Sequence, residues 1–274
     1  MLGKLLKHEI IATWKIFVLL DVITILAGGV VGIFGYNFPD LDRVPEPLAV
    51  LLGLGFAGYF VLLVASGLLT LVFIVVRYYR NLYTAQGYLT FTLPATTTEI
   101  LSSKIIVAFV AELLNFLSIG LSVGLVGLGF AALGMKESPV DTIQVLEGFR
   151  ELWFELFGID SIGTTCLYIA FMLISILYRI IIFFFAISLG QLWQQHKVLG
   201  SVIFYFVINA VLSVVHTLLN IGSGSFSLLF MTTYDTSSQF FERLVTTNTI
   251  ISLIAVIGMY IGSILITDRK LNLD

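Results

Sequence analysis

Three groups of residues in this sequence have types and spacings that could do chemistry. Gly120-Leu121-Ser122-Val123-Gly124 reads G-x-S-x-G, the pattern that presents a nucleophilic serine on a sharp turn between strand and helix. His8-Glu9-Ile10-Ile11-Ala12 begins like the H-E-x-x-H of zinc hydrolases. Asp21, Glu112 and Arg179 are ionisable groups set inside long apolar runs, where a charge is costly unless it is paired or hydrated.

The elements that would have to position these groups decide between the readings. Zinc hydrolysis needs two ligands one helical turn apart, and Ala12 stands where the second should be. Ser122 falls inside a predicted helix rather than on a strand-to-helix turn. A hydrolase reading would pair it with His216, in the fifth apolar run. Glycines four apart are also the close-packing pattern of membrane helices, and Gly28 and Gly32 repeat that spacing. The three intramembrane charges fit either a substrate path or proton relay, or an interhelical salt bridge of Arg179 with Glu112. The structural reading is the better one, and so sparse a set argues against a proton-coupled carrier. No G-x-x-x-x-G-K-[ST] sequence is present, so any use of ATP must come from another chain. The lone cysteine, Cys166, excludes a disulfide framework and a cysteine-ligated metal within the chain.

Hydrophobic residues make up 58% of the 274 and charged residues 11%, with a mean hydropathy of +1.04. Soluble domains carry about 25% charged residues, so there is too little charge here to coat a globule. Six stretches reach the roughly 20 apolar residues that crossing the hydrocarbon requires. They lie near residues 16–35, 48–76, 105–133, 164–192, 198–219 and 249–266. The expectation is an all-α membrane protein, one transmembrane domain over residues 1–274. The lysines before the first span resemble a signal peptide, but Asp21 interrupts the core and no A-x-A site follows, so an uncleaved span is expected.

Basic residues set the orientation. One set of connections carries Lys4, Lys7, Lys15, Arg77, Arg80, Lys104, Lys197, Arg269 and Lys270. The other carries Arg43, Lys136, Arg150 and Arg243 with most of the acids. Both termini are therefore expected inside the cell and the protein in the plasma membrane. Leu2, Leu5, Leu6 and Ile10 share a helical face, which predicts an amphipathic helix on the inner surface before the first span. Val140, Ile143, Leu146, Phe149, Trp153 and Leu156 predict a second such helix outside. The loop from Asn220 to Thr247 has an apolar middle, Phe226–Met231, too short to cross; a dip into the outer leaflet and a plain loop both fit.

The stretch from Arg77 to Lys104, RYYRNLYTAQGYLTFTLPATTTEILSSK, encodes a helix end, a break at Gly87 and Pro94, and a return capped by Thr96-Thr97-Thr98-Glu99. Its middle is aromatic, polar and nearly uncharged, which suits a knob buried in a partner. This stretch resembles the inner loop of ABC transporter permeases of the second exporter type, in particular the small permeases of Gram-positive bacteria. The matching residues are Arg77, Arg80-Asn81-Leu82-Tyr83, Gly87-Tyr88-Leu89, Phe91-Thr92-Leu93-Pro94 and Leu101-x-x-Lys104, with Gly190-Gln191-Leu192 and His196-Lys197 later. The resemblance implies a cytoplasmic coupling helix between spans two and three, around Tyr83 to Tyr88. Arg80, Asn81, Tyr83, Gln86, Gly87, Tyr88 and Pro94 would dock on an ATP-binding cassette subunit that holds ATP and magnesium, while this chain holds no cofactor or metal of its own. It also implies pairing with a second permease, identical or different. Many relatives carry acids before the glycine where this chain has Ala85-Gln86, so docking here would not use a charge at that point. The expected function is export of a peptide, lipid-like or drug-like amphiphile, with no nucleic-acid partner. The competing expectation is a non-transporting membrane anchor, immunity or sensor protein.

Overall fold

The computed structural model describes residues 2–37, 45–84, 87, 92, 94–137, 147–148, 151, 162–193, 196–222 and 234–270. Among them there are six long helices and no strand: α1 Leu2–Asn37, α2 Glu46–Tyr83, α3 Thr97–Glu137, α4 Ile162–Gly190, α5 Lys197–Gly222 and α6 Tyr234–Lys270. Each is long and apolar enough to cross a membrane. The chain is a multi-pass membrane protein of all-α class.

The helices overrun the apolar windows that announce them. At about 1.5 Å per residue the 36 residues of α1 extend about 54 Å, against about 30 Å of hydrocarbon. α1 is one uninterrupted helix, so no break in helical structure separates the expected surface segment from the first span. No glycine or proline stands between Lys4 and Ala27 to break it, and Thr13 Oγ1 donates to the Glu9 carbonyl at 2.9 Å. The loop expected over 220–247 is shorter than its polarity implies. α6 already begins at Tyr234, and Thr246, Asn248 and Thr249 return hydrogen bonds to carbonyls four residues back. The apolar middle of that loop lies outside the described residues. So does the outer amphipathic segment, save Glu147, Gly148 and Glu151, which are helical.

The chain divides into two compact units, through both of which α2 and α3 run. Residues 7–73 and 110–150 form one, built from α1 and long portions of α2 and α3. Its buried positions recur at sevens: Leu52, Tyr59 and Ser66 on α2, Asn115 and Ser122 on α3, and Phe17 with Thr24 and Gly28 with Gly35 on α1. That period gives left-handed packing at a shallow angle. α1 runs parallel to α3 and antiparallel to α2, as the pairs Thr24–Ser66 and Phe17–Phe73 require. Lipid is as apolar as leucine, so the seam is made of small and polar residues while Leu19, Leu26, Val61 and Leu117 face outward.

The closest approach is between α1 and α3. A Cβ on Gly28 would lie 2.5 Å from the Ser122 carbonyl oxygen, and one on Gly32 would lie 2.6 Å from that of Leu125. Gly129 meets the backbone of Gly32 from the other side. Gly120 and Gly124, by contrast, have nothing within 4 Å of such an atom. The G-x-S-x-G match is therefore a packing site only through its serine, and its glycines are not the close-packing pair their spacing predicts.

The second unit comprises residues 1–6, 74–109 and 151–274. Ile181, Ile182, Val256 and Met259 form its core, flanked by Leu177, Phe185, Ile208 and Leu212. α5 is its most peripheral helix, with 6% of its apolar window buried against 33% for α4. α4 turns into α5 through a tight corner, where a Cβ on Gly190 would stand 2.5 Å from the Ser201 amide nitrogen.

These contacts predict that Gly28→Ala and Gly32→Ala each lower stability by about 1–3 kcal/mol through overpacking. Gly120→Ala and Gly124→Ala should be neutral or slightly stabilising, since alanine is the better helix former. Unfolding of the purified variants in detergent micelles measures this. Equal stability at positions 28 and 120 would remove the α1–α3 seam.

Candidate functional site

Two constructions stand out from the apolar background. The first is a polar ladder inside the seam of α1, α2 and α3. Asn115 spends both protons of its side-chain amide, one on Asp21 Oδ1 at 3.2 Å and one on Ser66 Oγ at 2.8 Å. Ser118 Oγ lies 2.9 Å from the same Asp21 oxygen. Thr24 and Ser66 are joined at 3.0 Å. Further along, Ser122 donates to the Thr24 carbonyl at 2.8 Å, which leaves the Tyr59 hydroxyl, 3.0 Å away, to donate to Ser122. Glu112 is buried one turn before Asn115 on the same face of α3. The ladder thus holds a carboxylate at the edge of the seam by neutral donors from a neighbouring helix. Interhelical bonds of this kind contribute about 0.6 kcal/mol each on average in membrane proteins, with a maximum of about 1.7 kcal/mol.

This places Ser122 chemically. It sits in mid-helix, fully buried, with its proton committed to a backbone carbonyl. Its expected base, His216, belongs to the other unit, where Nδ1 stands 2.8 Å from Asn248 Oδ1. That oxygen also accepts from Asn220 Nδ2 at 3.1 Å, and Asn248 Nδ2 is bonded to the Leu244 carbonyl. His216 therefore carries its proton on Nδ1 and acts as a strut between α5 and α6.

Beside the ladder, an apolar cavity of about 570 Å³ opens between α1 and α2. Val30, Phe34, Leu51, Phe56 and Leu62 line it, and the ring of Tyr59 forms part of its wall.

The second construction anchors the ends of α2 and α3 where the 84–96 connection begins and ends. Tyr78 stacks on Phe184 with ring centroids 3.7 Å apart, and its hydroxyl is 3.3 Å from Ser188 Oγ. The Tyr83 hydroxyl is 2.8 Å from the same Ser188 oxygen and 3.5 Å from Thr267 Oγ1. On α3, Thr97 bonds Asp268, and Ser102 Oγ is 2.7 Å from the Tyr260 hydroxyl. The capping expectation for this return holds: the Thr96 amide donates to Glu99 Oε2 at 3.2 Å and the Glu99 amide to Thr96 Oγ1 at 3.3 Å, a reciprocal capping box.

The residues expected to dock a partner separate into groups. Tyr83 is buried and faces α4 and α6, so it fastens the helix end rather than projecting from it. Arg80 and Pro94 are exposed and Asn81 is half-buried. Gly87 is buried, its amide donating to the Thr84 carbonyl at 2.7 Å; a Cβ there would collide with the Leu82 carbonyl. Gln86 and Tyr88 lie outside the described residues. Asp21 is half-buried in the ladder. Arg179 is exposed near the middle of α4, and it and Glu112 belong to different units, each with contacts inside the chain. An arginine at such depth costs about 2.5–3.5 kcal/mol on insertion scales.

Sequence reading by charge found Asp21 but missed the neutral partners, Ser66, Asn115, Ser118 and Tyr59. Part of their signal was periodic: Tyr59 and Ser66, and Asn115 and Ser122, stand seven apart inside otherwise apolar windows.

No known family model matches the chain, nor does any curated protein or solved structure.

A double-mutant cycle between Asp21→Asn and Ser118→Ala should give a coupling of about 0.6 kcal/mol, and no more than about 1.7 kcal/mol, in detergent unfolding. Zero coupling would mean the ladder stops at Asn115. Tyr83→Phe should likewise cost about 0.6–1.7 kcal/mol, whereas Arg80→Ala should leave stability within about 0.5 kcal/mol.

Proposed function

We propose that this chain is the permease subunit of an ATP-driven transporter, with its basic connections and both termini in the cytoplasm of the cell it encloses. The observation that carries this reading is the fastening of the 84–96 connection. Both of its ends, Tyr83 on α2 and Thr97 on α3, are bonded to α6, and Tyr83 also to α4. A helix end held by aromatic stacking and shared hydroxyls moves with its neighbours. A force applied to the connection by an ATP-binding subunit therefore passes to α4 and α6 rather than being absorbed by a loose loop. The partner binds ATP and magnesium, and this chain performs no covalent step. Two copies, or this chain and a related permease, enclose the path. The apolar cavity between α1 and α2 and the scarcity of charge favour an amphiphile as cargo, moved outward.

Within this reading the docking surface is made by the exposed Arg80 and Pro94, with the half-buried Asn81 beside them. The tagged chain, purified in mild detergent from its own host, should bring down a protein with a P-loop and magnesium-dependent ATPase activity. Arg80→Glu should reduce that recovery on the order of tenfold, an interfacial charge-pair effect, while its thermal unfolding matches the wild type. Recovery of no such ATPase under any solubilisation condition would sink the proposal and leave the non-transporting anchor.

A further inference from the structure

We propose that the face of α1 between Lys7 and Lys15 binds the headgroup of an anionic phospholipid in the leaflet around that end of the helix. Lys7, His8, Ile11, Trp14 and Lys15 are all exposed. At 100° per residue they fall within ~120° of arc. Glu9, Thr13, Phe17 and Leu20 turn the other way and are buried or half-buried, and Phe17 meets Phe73 edge to face with ring centroids 5.4 Å apart. The sequence pattern puts the leucines of this segment on the membrane surface. In the structure Leu2, Leu5 and Leu6 are half-buried, and the lysine side is the one left open.

Depth selects what that side meets. The apolar run over residues 16–35 measures about 30 Å as a helix, the thickness of the hydrocarbon. Trp14 and Lys15 therefore stand at its boundary, and Lys7, eight residues earlier, lies about 12 Å farther out. A headgroup layer is about 5–8 Å deep. Lys15 reaches into it from the hydrocarbon edge and Lys7 from its far side, each along an apolar stem. Ile11 and Trp14, 56% and 48% exposed, lie between them. The indole N–H is a donor for phosphate and ester oxygens, and its ring takes the place aromatic residues hold at a membrane boundary.

The charge on this face has one sign. Glu9 is the one acid between Lys4 and Asp21; it points to the opposite side and has contacts within the chain. Asp21 accepts from Asn115 and Ser118, and Glu112 is buried. Glu46 and Glu137 stand at the other end of the seam, where α2 begins and α3 ends. Among the described residues no ion pair or hydrogen bond engages the ammonium groups of Lys7 and Lys15. Two lysines at headgroup depth with no carboxylate beside them favour a lipid of net negative charge over a zwitterionic one. This inference rests on the membrane-spanning architecture and not on the permease reading.

The test uses the full chain in nanodiscs of phosphatidylcholine, without nucleotide or ATPase. Trp153→Phe with Trp193→Phe leaves Trp14 as the one tryptophan of three. The probes are phosphatidylglycerol and phosphatidylcholine with brominated acyl chains, which quench indole fluorescence on contact. Each lysine is worth about fivefold, so phosphatidylglycerol should occupy the site beside Trp14 on the order of twentyfold more tightly than phosphatidylcholine. Lys7→Gln with Lys15→Gln should bring the two lipids close to parity, and the corresponding pair of arginine substitutions should keep the preference. Raising salt from about 0.1 M to about 1 M, which shortens the screening length from about 10 Å to about 3 Å, should weaken it in the unaltered face. Where the tryptophan replacements disturb folding, the Trp14 signal is read as the difference between the native chain and Trp14→Phe. Equal quenching by the two lipids, or a preference unmoved by the glutamine pair or by salt, overturns the proposal. Absence of quenching by either lipid would put a protein surface against Trp14 and overturn it as well. Since no ATPase takes part, loss of the permease reading would leave these outcomes untouched.

Discussion

Inside lipid nothing pushes apolar helices together, since a leucine gains little by exchanging an acyl chain for another leucine. What remains is close packing and hydrogen bonding, and both structural units follow from that constraint. In the α1–α3 unit, Gly28 and Gly32 let two backbones approach closely enough for Ser122 to reach the Thr24 carbonyl. The same approach brings Asp21 within range of Asn115 and Ser118. Bulky side chains at those two glycines would part the helices and leave each of these polar groups facing hydrocarbon, so packing and hydrogen bonding stand or fall together. In the other unit the shared element is Ser188, whose one hydroxyl serves both Tyr78 and Tyr83.

The two constructions have different mechanical characters. The ladder is a chain of neutral donors ending on a carboxylate, and each rung is weak enough to be exchanged for another. The anchor around Ser188 combines a 3.7 Å aromatic stack with buried hydroxyls, and its largest side chains are fully enclosed. α2 carries both, with Ser66 in the ladder and Tyr83 in the anchor seventeen residues apart. α2 thus contributes side chains to both constructions.

Legibility in the sequence followed the range of the forces. The Thr96–Glu99 box could be read directly, because a cap is made by residues three apart. Glycine spacing could not be read that way. Gly28 with Gly32 and Gly120 with Gly124 have the same separation, and only the first pair meets another backbone. Spacing defines a face, and a face says nothing about which neighbour it will find. Tyr83 shows the same limit. Its place in an aromatic, polar stretch reads as partner surface, yet α4 and α6, distant in sequence, claim it for the interior.

By itself the sequence determined that this is a six-span, all-α membrane protein and which residues would be costly in lipid. Those follow from transfer of side chains out of water, a property of each window of about 20 residues considered alone. Tertiary structure alone decided which costly residues are compensated and by what. It put Asp21 into a ladder of neutral partners, buried Glu112 and stripped Ser122 of nucleophilic geometry. The reason is that compensation is pairwise and geometric: it depends on which helices are neighbours and at what rotation, and no window of a single helix contains that information.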